Sequence, residues 1–164
     1  MVGDTTIATV ALALVTASFP FYLYGAWIMI DADVVTWGVL TYHLKFIVTG
    51  LVLNTVPVVT WMAPRLFEQL GGLAALHAFL GLQAYALLVF ALTGIYRILR
   101  AKMRYNLYND PDQDVDLDEL GEDMSHWRRR LRIGVFGYVV FWLLAYVLGV
   151  GRYLIRYGFL EAPF

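Results

Sequence analysis

Six side chains carry most of the chemistry open to this chain. They are His43, His77 and His126, together with Lys45 and the carboxamides of Asn54 and Gln83. An imidazole can ligate haem iron, contact a quinone or pass a proton. A carboxamide offers both a donor and an acceptor. Cysteine is absent, so thiolate-held metals and iron–sulfur clusters are excluded. There is no Gly-rich phosphate loop, no His-Glu-x-x-His pair and no nucleophile elbow, so no catalytic residue is expected.

Long apolar segments must position these groups. A bilayer core of about 30 Å takes roughly 20 apolar residues in a helix. Four stretches qualify, at about 6–30, 36–62, 72–100 and 131–156. Pro20 is expected to kink the first. That stretch lacks a basic n-region and runs past the length of a signal-peptide core, so it is read as a retained helix. The fold class expected is all-α: one polytopic domain of four transmembrane helices in an antiparallel bundle.

Composition supports this reading. Of 164 residues, 60% are hydrophobic and only 15% are charged, whereas soluble domains carry about a quarter charged residues. Net charge is −1, which supplies no basic field for nucleic acid. Eight of the twelve basic residues lie at Arg97, Arg100, Lys102, Arg104, Arg128, Arg129, Arg130 and Arg132. The positive-inside rule then puts the connection between the third and fourth helices in the cytoplasm, with both termini and the Arg65 turn outside. Trp37 and Trp61 mark opposite ends of the second helix. Arg152 and Arg156 are expected at the headgroups.

The polar groups can be placed by depth. Lys45 is expected to snorkel toward the cytoplasm. In a hairpin of the second and third helices, Asn54 falls beside His77. His43 lies nearer the other surface, on the order of 15–20 Å from His77 along the normal, too far to share one iron. Each imidazole would then need another ligand, with Met29 and Met62 the available thioethers, for haem b to be held by this chain alone. Two readings compete with that one. The histidines hydrogen-bond within the bundle, or His43 and His77 contact a haem edge or quinone of a partner subunit. The chain is therefore expected to hold no cofactor of its own. Gly50, Gly81, Gly134 and Gly149, with Gly137 and Ala145, are expected to let helices approach closely.

The loop at 105–125 is acidic. Asp110-Pro111 is expected to stop the third helix, and Asp116 or Asp118 to cap a segment leading into the fourth. Glu122 is placed to pair with His126. Asp110, Asp112, Asp114, Asp116 and Asp118 alternate, yet the Gly and Glu of a calcium loop are missing at their positions, so a solvated acidic loop is expected.

The runs FPFYLYGAWIMIDADVVTW, HLKFIVTGLVLNTVPVV, QLGGLAALHAFLGLQAYALL and RRRLRIGVFGYVVFWLLAYVLG resemble a family of small four-helix membrane proteins of halophilic archaea. The resemblance covers nearly the whole chain. It implies a gene neighbourhood with cytochrome b, a Rieske protein and halocyanin-type copper proteins. An accessory, non-catalytic subunit of a cytochrome bc-like respiratory complex is the function it implies. More loosely, His43, Leu76-His77 and His126 fall in the order seen in bacterial four-helix oxidase-maturation proteins, implying a haem-handling role as the alternative. A small transporter is a further alternative and needs a water path past Asn54, Gln83 and Lys45.

Overall fold

The computed structural model describes residues 3–65, 71–110 and 123–159. It is all-α: four long apolar helices packed pairwise, as a four-span membrane bundle requires. Helix α1 is Asp4–Asp31. Helix α2 is Trp37–Pro57, continued by a π-helical turn at Val58–Met62. Helices α3 and α4 are Gly72–Arg104 and Met124–Arg156. All four have the length and composition of membrane spans, and no more than 22% of any span's most apolar window is buried within the protein. Leu23, Ile30 and Phe136 are among the large side chains facing outward. Such a surface is stable in lipid and would aggregate in water.

The chain divides into two compact units, residues 1–75 with 150–164, and residues 76–149. In the first, α1 and α2 form an antiparallel hairpin. Its α1 seam is Ala8, Ala11, Val15, Ser18 and Gly25, all buried. These positions follow the three-and-four spacing of a left-handed helix pair. Gly50, Asn54 and Pro57 are the buried residues of α2. The contacts set the register: a Cβ on Gly25 would lie 2.8 Å from Ile47 Cδ1, and one on Gly50 2.9 Å from the Tyr22 ring.

Pro57 has no N–H to give the Leu53 carbonyl, and the turn that follows it is a wider, π-helical one. The Ala63 N–H reaches back five residues to the Val58 carbonyl at 2.8 Å. Beyond this turn Arg65 pairs with Asp4 at 3.2 Å and lies 4.8 Å from the centre of the Trp61 ring. The Tyr153 hydroxyl meets the Thr9 hydroxyl at 2.7 Å, and the Tyr157 hydroxyl donates to the Asp4 carbonyl at 3.4 Å. The end of α4 is thereby fastened to the start of α1.

In the second unit α3 and α4 run antiparallel and touch backbone to backbone. A Cβ on Gly94 would lie 2.8 Å from the Trp127 carbonyl oxygen, and one on Gly134 2.7 Å from the Ala91 nitrogen. Both helices run past the limits expected for the spans themselves: α3 extends to Arg104, and α4 already begins at Met124. Trp127 explains part of this, because Arg97 and Arg130 stand 5.2 and 5.1 Å from its ring centre. At 33 residues, α3 is about 50 Å long, more than the hydrocarbon needs, so its basic end projects beyond the lipid core.

The stop of α3 differs from expectation. It is set at Asn106, before Asp110-Pro111 is reached. Asn106 takes a φ of 56°, in the left-handed region that Asn tolerates. The Leu107 N–H then bonds the Lys102 carbonyl at 3.0 Å, and the Asn106 N–H the Met103 carbonyl at 3.2 Å. This pair of bonds closes a Schellman motif. Gly158, with a φ of 76°, ends α4 by the same pattern. The expected cap at Asp116 or Asp118 and the partner Glu122 lie outside the described residues.

Candidate functional site

Hydroxyls inside a span can be satisfied by their own helix, and most here are. Thr16 donates to the Leu12 carbonyl, Ser18 to Val15, Thr49 to Lys45, Thr60 to Val56 and Thr93 to Phe90, all at 2.6–2.8 Å. These groups serve the helices that carry them. His43, Lys45, Asn54, His77 and Gln83 remain.

His43 occupies the hairpin seam, half-buried. Its Nδ1 lies 2.7 Å from the Gly25 carbonyl oxygen. A carbonyl only accepts, so Nδ1 carries the proton. In the neutral ring the lone pair is then on Nε2. Gly25 permits the approach, since any side chain there would run into Ile47 and Phe46. Beside His43, on the outward flank, Tyr24 and Tyr42 stand edge-on to Phe46 at 4.6 and 5.2 Å between ring centres. The Tyr24 and Tyr42 hydroxyls are 3.4 Å apart. An Nδ1–H held by a backbone carbonyl is the support that a ligating imidazole ordinarily has.

Asn54 is 2% exposed, on the buried side of α2, and among the unit's described residues only Ser18 is a more enclosed polar side chain. His77, in the second unit, is half-buried against α4: its Nε2 would lie 3.0 Å from a Cβ on Gly149. The imidazole therefore fills the space that Gly149 leaves. Lys45 is exposed on α2. Gln83 sits half-buried near the middle of α3. His126 is exposed beside Trp127, 5.6 Å between ring centres.

Of the four glycines expected to mediate packing, Gly50, Gly134 and Gly149 lie at close approaches. Gly81 does not: a Cβ there would meet nothing within 4 Å. Helical spacing groups Gly81 with His77, but spacing does not fix how far the neighbour stands. Gly25 and Gly94 are close-contact glycines that sequence reasoning missed. Their place on a three-and-four repeat with Ser18 and with Ala91 was the available signal.

At the basic end, Arg130 lies over Phe90, 4.4 Å from its ring centre, and Lys102 over Tyr108 at 5.3 Å. Ser125, Arg128, Arg129 and Arg132 line a shallow concavity of about 290 Å³. Burial pushes the Tyr108 phenol above its ordinary value. Among the described residues no group of three or more acidic, His or Cys side chains is gathered as a metal site would be.

These features define a class, the all-α, four-span integral membrane protein, here with His43, Asn54 and His77 set against neighbouring helices or on a buried helix face. Residues 4–158 match a family described as a domain of unknown function, DUF7321, and the chain belongs to that family. No curated protein and no solved structure matches it.

Proposed function

We propose that the protein is a non-catalytic integral subunit of a membrane electron-transfer complex of the cytochrome bc type. It binds its partners, cytochrome b and Rieske proteins among them, by helix-to-helix contact within the lipid. In this reading the Arg-rich connection between α3 and α4 is cytoplasmic, and both termini and the Arg65 turn are outside. The observation that carries the reading is the use to which the polar groups are put. Ser18, His43 and His77 serve the seams of the chain's own helices, while Tyr24 and Tyr42, packed beside the half-buried Phe21 and Phe46, face outward. A surface rich in rigid aromatics suits a partner helix.

Purification from native membranes in a mild detergent tests this. Comigration with a cytochrome and an iron–sulfur protein is expected. Migration of the chain alone, at every detergent concentration that keeps the complex intact, refutes it.

A second reading is favoured by one contact. The His43 Nδ1–H···O=C bond leaves Nε2 suited to haem iron or a quinol hydroxyl, which supports a haem-handling or oxidase-assembly role. A reduced-minus-oxidised spectrum of the purified protein decides it. A haem b band that disappears in His43→Ala and survives in His126→Ala supports that role; a colourless protein rejects haem binding.

A further inference from the structure

Gln83 stands apart from the other intramembrane polar groups. It lies near the middle of the apolar stretch between Gly72 and Arg97, where the surrounding lipid offers nothing to hydrogen-bond. Its side chain is half-exposed, and no hydrogen bond joins it to any other residue described. An unsatisfied carboxamide in hydrocarbon is costly, and the ordinary remedy is a bond across to another helix.

Its position on α3 says where that helix would lie. Ala84, Ala91 and Gly94 form the buried face of α3, and Gly94 and Ala91 touch α4. Gln83 falls on the flank of that face. It shares the flank with Leu76 and Phe79, which are 47% and 53% exposed, and with exposed Ala86. These residues follow one another at intervals of three and four, so they form a second seam beside the first. Ala86, one turn from Gln83, leaves room for a close neighbour.

We propose that this flank is a dimer interface, and that its occupant is the same flank of a second copy of this chain. The chemistry of the amide selects that occupant. A carboxamide is self-complementary: its N–H donates to the carbonyl oxygen of a second amide, whose N–H donates back. A two-fold axis along the membrane normal brings identical residues together at identical depth. Gln83 of one copy therefore meets Gln83 of the other at mid-bilayer, with no other polar residue required. The pair also fixes register, as a lone polar residue does in a coiled-coil seam. The inference does not depend on the proposed respiratory role.

The absence of Cys from the chain makes the test direct, because a single-Cys variant can form no disulfide within one chain. Ala86→Cys is placed on the proposed seam, and Leu92→Cys, at a position 48% exposed, on the other side of α3. Both full-length variants are expressed in a host lacking the native respiratory partners, and the membranes are oxidised. Ala86→Cys is expected to give a disulfide-linked dimer and Leu92→Cys to stay monomeric. Adding Gln83→Leu should cut the Ala86→Cys dimer at least about fivefold, and Gln83→Asn should restore much of it. Gln83→Leu makes the span more apolar, so loss of insertion does not confound the result. Equal crosslinking of the Ala86→Cys and Leu92→Cys variants would overturn the proposal, as would crosslinking that Gln83→Leu leaves unchanged. A crosslink mainly to a chain of another mass would overturn it too.

Discussion

Glycine and histidine act together at the scale of single residues. In lipid there is no hydrophobic drive between helices, so close packing and polar contacts hold them. The close-contact glycines differ in what they face. Gly134 faces Ala91 backbone, which cannot move alone, whereas Gly25 faces the flexible end of Ile47. Gly134→Ala should therefore destabilise the α3–α4 pair by about 1–3 kcal/mol. Gly81→Ala, with nothing within 4 Å, should be neutral or stabilising by up to about 1 kcal/mol. Unfolding midpoints in one micelle system compare the two directly. Equal losses would mean that Gly81 is also a contact. The sequence marked His43 and His77 as the imidazoles of the spans, since any His in an apolar run stands out. It carried no sign that the partner of His43 is a backbone carbonyl, because a carbonyl is present at every residue and only the approach of α1 selects Gly25.

Helix ends and interruptions decide what the elements present. The π-helical turn that follows Pro57 sets the direction of Trp61 and Arg65. Pro57→Ala supplies the missing N–H and favours an ordinary turn, which rotates everything after it. The Asp4–Arg65 pair is exposed and worth at most about 1 kcal/mol. A double-mutant cycle of Asp4→Asn and Arg65→Gln should show that small coupling in the native chain and none in the Pro57→Ala background. The sequence did show Pro57, but a proline inside an apolar run is compatible with a kink, a bulge or an end. At the far end of α3, Tyr108 packs under Lys102. Burial raises its phenol above the ordinary value near 10, so the folded state favours the neutral form. The stabilisation from Tyr108 is then complete below that ordinary value and declines as pH rises through the higher folded one. Phenolate absorbance should lose a late-titrating component in Tyr108→Phe, and the alkaline loss of stability should shrink in that variant.

For the molecule as a whole, the lipid is the larger part of the environment, and orientation is the property to test. Thr5→Cys and Ser125→Cys put single thiols at exposed sites near opposite ends of the spans. A membrane-impermeant maleimide applied to intact cells should label the first and spare the second. Labelling of Ser125→Cys alone would reverse the topology and place the basic end outside. Four spans, their approximate limits and the membrane as solvent follow from the sequence by itself, because apolar length is a local property that no packing partner can change. The tertiary structure alone decided that Gly94 and Gly134 bring α3 and α4 into backbone contact, that His43 meets Gly25, and that Gln83 is left on an open flank. Each of these depends on how a helix is rotated about its axis. Spans apolar on nearly every side carry no amphipathic stripe to announce that rotation, so it is fixed only when the seams pack.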